Sequence, residues 1–237
     1  MIELNPKIEV QNINGMMIVR DDLLEGGTKQ RGLYEYIKGI NKKNICYCSG
    51  STGYAQIALT IVCNLLNKNC IIFTPQCKVI KECTNKVIEL GGIVKFVKCG
   101  YLSVLNKRCK EFCAQNEDSF IVPFGLECKK FKQILEKNIR DSLVDIDINK
   151  EWNIWLVYGS GTIYSVLKNI FINSKFNIVK IGIDLGEIKD CNNFKSKYKF
   201  NQACKNLPPY PSNKFYDAKL WEFVEPKENT LIWNVAK

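Results

Sequence analysis

The chain has 237 residues, 46 % of them hydrophobic and 24 % charged, with 12 cysteines, no histidine and a formal charge of +10. That length holds a sizeable core in one domain or two close lobes, and the composition is that of an ordinary folded protein. The missing histidine excludes Ser-His-Asp and Cys-His catalysis and every histidine-held metal, so acid–base work falls to Lys, Asp, Glu, Tyr or Cys.

Strand and helix patterns alternate along the chain. GMMIVR (residues 15–20) reads as a strand, followed by a Gly-Gly turn and a helix from Lys29 onward. NICYC (44–48) is a short strand, then a glycine-rich turn and a helix over 54–66. CIIFT (70–74) and IVKFVK (93–98) read as strands, followed by helices over 79–90 and 102–113 respectively. SFIVP (119–123) precedes a helix over 128–143, and IWLVY (154–158) runs through another glycine turn into a helix over 162–171. IVKIGID (178–184) is a further strand, and a loop-rich tail closes on TLIWNVA. Repeated β–α alternation with apolar strands predicts parallel α/β layers. No apolar run approaches the ~20 residues of a membrane span, and MIELNPKIEV carries no signal pattern. A cytoplasmic protein with no membrane partner is the expectation.

The cysteines sit mostly in apolar runs, such as NICYC and IVCNLL, and read as small core residues in a reducing compartment. Cys46-x-Cys48 and Cys109-x-x-x-Cys113 each lack a matching second pair, so no metal site is expected.

Three predicted strands end in glycine-rich turns that lead into helices, the place where open α/β sheets bind ligands. In GSGT, Gly159 and Gly161 free the backbone to turn its N–H groups on an anion, while Ser160 and Thr162 add hydroxyls. An ordinary βα turn explains it equally well. In SGSTGYA, Ser49, Ser51 and Thr52 offer donors at a helix start, with a capped turn as the plainer alternative. In EGGTKQR, Thr28 as N-cap with a buried Leu33, Tyr36 and Ile37 face explains the helix. It leaves Lys29 at a helix start, where the helix dipole disfavours positive charge.

Together, in this order, the three turns resemble those of the fold-type II pyridoxal-phosphate enzymes, and VRDDLLEGGTKQR is most similar to the aminocyclopropane-carboxylate deaminase and D-cysteine desulfhydrase branch. Ser51 follows Lys29 by 22 residues and Gly159 follows Ser51 by 108, which suits that family. The resemblance implies two parallel-sheet lobes with the cofactor, pyridoxal 5'-phosphate, in the cleft between them. Residues 1–42 and 121–237 would form the larger, cofactor-binding lobe and 43–120 the smaller. Lys29 would carry the cofactor as a Schiff base and act as the catalytic residue. Gly159, Ser160, Gly161 and Thr162 would hold the phosphate, and Ser51, Thr52 and Gly53 the substrate carboxylate. Tyr54 stands where the family commonly has an asparagine beside the cofactor's ring hydroxyl. The C-terminal part supplies the partner of the pyridine nitrogen, with Ser212, Tyr216 and Asp217 as candidates. The implied function is lyase- or deaminase-type chemistry on an amino acid or related amine as a small-molecule substrate, by a homodimer.

The basic charge keeps a second reading open: a nucleotide- or nucleic-acid-binding α/β protein, or an enzyme modifying an amino acid attached to a nucleic acid. In FKSKYKF (194–200), strand geometry would place Lys195, Lys197 and Lys199 on one face and aromatics on the other. A solvated edge strand with its aromatics inward is the favoured explanation of that segment.

Overall fold

A computed structural model of the protein describes residues 3–98, 100–182 and 186–237. The chain order is β1 (Val10–Ile13), β2 (Met16–Arg20), α1 (Gln30–Lys38), β3 (Asn44–Cys48), α2 (Ala55–Leu65), β4 (Asn69–Pro75), α3 (Glu82–Glu89), β5 (Ile93–Val97), α4 (Leu102–Gln115) and β6 (Ser119–Val122). It continues through α5 (Lys129–Ser142), β7 (Asn153–Tyr158), α6 (Thr162–Ile170), β8 (Lys175–Lys180), β9 (Asn192–Lys195) and β10 (Thr230–Asn234).

Among the described residues these strands form two sheets, one of six strands in the order β1-β2-β10-β7-β8-β9 and one of four in the order β5-β4-β3-β6. The four-stranded sheet is parallel throughout. The six-stranded sheet is parallel from β2 to β9, and β1 adds an antiparallel edge through the Asn14-Gly15 hairpin turn. Parallel strands need cover on both faces, which is why β4, β8 and β10 read as apolar runs. The fold is the predicted α/β arrangement of two sheets, corrected at that one antiparallel edge.

Three further expectations are corrected. The helix expected over 79–90 begins only at Glu82, because Val79 and Ile80 are exposed and Lys81 is extended. The strand expected over 178–184 is β8, which starts at Lys175 and ends at Lys180; residues 183 and 184 lie outside the described residues. The lysine-alternating strand is not formed: β9 stops at Lys195, Phe194 packs against Trp155 and Phe223, and Lys197 ion-pairs with Glu222.

The main core fixes the helix that follows Lys29. Leu33, Tyr36 and Ile37 of α1 are buried, and Tyr36 meets Phe131 of α5 edge-on at 5.6 Å between ring centroids. Each such side chain contributes roughly 1.5–3 kcal/mol on burial. Because β2, β10 and β7 run in parallel, their C-terminal ends at Arg20, Asn234 and Tyr158 share one edge of the sheet.

Candidate active site

The loop from β2 to α1 is held by buried polar groups. Asp21 is fully buried and accepts hydrogen bonds from Arg31 Nη2 and from the Thr28 hydroxyl, both at 2.7 Å. Thr28 Oγ1 accepts in turn from Trp233 Nε1 at 3.0 Å. Charge-assisted bonds of this kind are roughly twice as strong as neutral ones. Thr28 is therefore a strut of the loop, not the helix cap; the N-cap position is Lys29 itself. The paired glycines answer to packing. A Cβ on Gly26 would lie 2.6 Å from Ala58 Cα, and one on Gly27 would lie 2.5 Å from the Val235 carbonyl oxygen. The loop thus presses against α2 on one side and the end of β10 on the other.

That placement delivers Lys29 to the turn after β7. Lys29 Nζ donates to Ser160 Oγ at 3.5 Å, and Ser160 Oγ lies 3.2 Å from Thr162 Oγ1. The Thr162 hydroxyl lies 2.7 Å from the Gly125 carbonyl and 2.9 Å from Glu127 Oε2. Lys29 makes no ion pair among the described residues. Burial pulls its pKa down to about 8, with the Glu127 carboxylate pulling the other way. Glu127 is itself paired with Lys132 at 2.5 Å.

The turn itself has the geometry of an anion cup. Gly161, at φ 82°, is the N-cap of α6, and the first N–H groups of that helix face its start. Tyr158 lies over it: a Cβ on Gly161 would meet the Tyr158 hydroxyl oxygen at 2.6 Å. Tyr216 lies over the other glycine, its hydroxyl oxygen 3.0 Å from a Cβ placed on Gly159.

The turn after β3 is arranged differently. Gln56 Nε2 caps the Gly53 carbonyl at 2.8 Å, Thr84 donates to the Ser51 carbonyl at 3.2 Å and the Cys83 thiol to the Thr52 carbonyl at 3.6 Å. The hydroxyls of Ser51 and Thr52 make no hydrogen bond among the described residues. Tyr54 is half-buried, its ring edge 3.4 Å from a Cβ placed on Gly27, and burial pushes its phenol up to about 12.

The structure thus brings Lys29, Ser160 and Thr162 into one polar chain and packs the Tyr54 turn against the same loop. Of the C-terminal candidates, Tyr216 touches the glycine turn. Ser212 donates to Asn234 at 2.8 Å, and the buried Asp217 accepts from Ala236 N at 3.0 Å. Sequence reasoning missed Gly125 and Glu127, which lie in a fourth strand-to-helix turn, after β6. The signal was present: Gly125 follows an apolar strand and a proline in IVPFGLE.

The chain has the fold of the fold-type II pyridoxal-phosphate enzymes. It is similar to the crystal structure of an ACC deaminase homologue, with a TM-score of 0.81 at 12 % identity, over 99 % of this chain and 91 % of that one. It is similar to the O-acetylserine-dependent cystathionine β-synthase of Helicobacter pylori, at 0.69 and 17 %, over 99 % of this chain and 94 % of that one. A hydrogen sulfide-producing enzyme of Fusobacterium nucleatum matches at 0.67 and 13 %, over 99 % of this chain and 96 % of that one. No family model and no curated protein matches the sequence. No helix among the described residues is long and apolar enough to cross a membrane.

Proposed function

We propose that this protein is a pyridoxal-phosphate-dependent enzyme acting on an amino acid or a related amine, by lyase- or deaminase-type chemistry, with Lys29 as its Schiff-base lysine. The observation that carries the reading is an amine with no ion pair among the described residues, at a lowered pKa of about 8, hydrogen-bonded into a glycine turn at a helix N-terminus. The donor set fits the cofactor: an amine beside a cup of backbone N–H groups, shaped by a glycine whose Cβ would collide. The cofactor, when bound, supplies an electron sink for a carbanion at the substrate's α-carbon.

The chain's own residues do the rest. The depressed pKa leaves a useful fraction of Lys29 as neutral amine near neutral pH, the form that attacks a carbonyl and accepts a proton. Lys29 Nζ then takes the proton from the α-carbon and returns it. Gly159, Ser160, Gly161 and Thr162 hold the phosphate, mainly through backbone N–H groups, since the Thr162 hydroxyl already has partners. Ser51 and Thr52 offer hydroxyls unengaged among the described residues, and Gly53 its backbone, to the substrate carboxylate. Tyr54 would stand beside the ring, and Tyr216 packs over Gly159 of the turn. On this reading residues 1–42 and 121–237 form the cofactor-binding lobe and 43–120 the smaller one, and the protein works as a cytoplasmic homodimer on a small molecule.

Mass spectrometry of the protein reduced with borohydride in the presence of pyridoxal phosphate tests the proposal. A cofactor adduct on Lys29, absent from folded Lys29→Ala and Lys29→Arg, is the expected result. Arginine keeps the charge but cannot form the imine. An adduct elsewhere, or a Lys29→Arg variant with unchanged colour and turnover, overturns it.

A further inference from the structure

The two cysteine pairs that lack partners along the sequence are each other's partners in space. Residues two apart on a strand share a face, and residues four apart on a helix share a face. Cys46 and Cys48 of β3 face α4, and Cys109 and Cys113 of α4 face β3. The sulfurs of Cys46, Cys109 and Cys113 all lie within 4.8 Å of one another.

We infer that this layer between β3 and α4 is a site for a thiophilic metal ion of the zinc class, with Cys46, Cys109 and Cys113 as ligands. Zinc–thiolate bonds of ~2.3 Å in a tetrahedron place sulfurs about 3.8 Å apart. Closing the observed group onto an ion takes sulfur shifts of ~1 Å or less, within the reach of small side-chain rotations. The donors are all sulfur, and such a set selects zinc or monovalent copper over harder ions.

The surroundings distinguish this layer from ordinary cysteine packing. Its buried residues are Cys46, Cys48, Ile71, Phe73, Leu105 and Cys109, so cysteine makes up half of them. Cys46 and Cys109 are fully buried, while Cys113 is partly buried. Thiol contact, then burial, raises the Cys46 pKa, and burial, then thiol contact, raises that of Cys113. Binding therefore releases to solvent one proton from each thiol that becomes a ligand. Three thiolates around one divalent ion leave a single negative charge in an apolar setting.

The site is remote in kind from the Lys29 proposal, and its test does not depend on the cofactor. The reduced, metal-stripped full chain is titrated with Co2+ and then with Zn2+ against a chromophoric chelator. One equivalent bound, with thiolate-to-cobalt charge-transfer absorption displaced by zinc, is expected. Cys113→Ser should weaken zinc binding at least tenfold, ~1.4 kcal/mol, while Cys77→Ser leaves it unchanged. Cys109→Ala gives a second reading: zinc should raise the thermal midpoint of the wild-type chain and not that of the variant. Folded wild type that binds no equivalent, or a Cys113→Ser variant that binds as wild type, overturns the site.

Discussion

At the end of β7 the chain reads Gly159-Ser160-Gly161-Thr162, and at the end of β3 it reads Ser49-Gly50-Ser51-Thr52-Gly53. The ingredients are the same, and both turns open a helix. After β7 the hydroxyls are engaged, Ser160 with Lys29 and Thr162 with Gly125 and Glu127, while Gly161 at positive φ turns the backbone inward. After β3 the carbonyls are engaged, by Gln56, Thr84 and Cys83, while the hydroxyls of Ser51 and Thr52 have no partner among the described residues. A glycine turn read only as sequence offers both kinds of donor. The neighbours decide which remain for a ligand: backbone N–H groups in one turn and side-chain hydroxyls in the other. On the proposed function the first would hold a phosphate and the second a carboxylate.

The contrast breaks most completely at Gly125. This residue sits at φ 65°, and a Cβ there would fall 2.2 Å from Ser160 Cβ. Both faults act at once, since the backbone conformation and the space are each refused to an L side chain. Gly125→Ala should lower stability by about 3 kcal/mol, near the upper end for single substitutions. It should also displace Ser160 from Lys29. Urea denaturation of the variant checks this, and a midpoint equal to wild type would mean that the turn after β6 does not support the cup.

Gly161→Val comes next. Its Cβ would meet the Tyr158 hydroxyl at 2.6 Å, at a φ that suits glycine. Affinity for pyridoxal phosphate, followed by equilibrium dialysis of the Lys29→Ala background, should fall more than tenfold, ~1.4 kcal/mol. An unchanged affinity in a folded variant would remove the phosphate from this turn. Ser51→Ala probes the other side of the comparison. It should raise KM for the substrate about tenfold, the scale of one hydrogen bond to a charged group, and leave cofactor loading as it was. Equal loss of both would show that the two turns do not divide the work.

Much of the fold was legible because parallel strands buried on both faces announce themselves as apolar runs. The two edge strands of the larger sheet have no such run. β1 is VQNI with its middle residues exposed, and β9 is NNFK, each an edge held by a single neighbour. The hairpin signal Asn14-Gly15 was there to find the first of them. Lys29 and the Gly159 turn were legible because a lysine at a helix start and a glycine-rich anion cup are both anomalies of local chemistry. Gln56, Thr84 and Cys83 were not, since their work is to satisfy carbonyls brought to them by tertiary packing. The cysteine group was invisible for the same reason: strand spacing and helix spacing each look incomplete until β3 and α4 face one another.

The smallest effect concerns Glu127, the carboxylate beside the cup. Its charge raises the Lys29 pKa against the larger lowering by burial, which together leave it at about 8. Glu127→Gln removes the opposing influence, so the Lys29 pKa moves further down and the neutral fraction at pH 7 grows. Below the wild-type pKa each fall in pKa enlarges the neutral fraction in proportion; above it both proteins already hold the neutral amine. Borohydride-trapped loading of pyridoxal phosphate should therefore be severalfold faster in the variant at pH 7, a change under ~1.4 kcal/mol, and equal to wild type at pH 9. The same substitution takes a negative charge from beside the Thr162 hydroxyl, so inorganic phosphate should bind more tightly. Lys132, which pairs with Glu127 at 2.5 Å, already offsets part of that charge, and this is why the gain is modest. Equal loading rates at pH 7, with the variant folded, would mean that burial alone sets the Lys29 amine and that Glu127 serves only to hold Thr162.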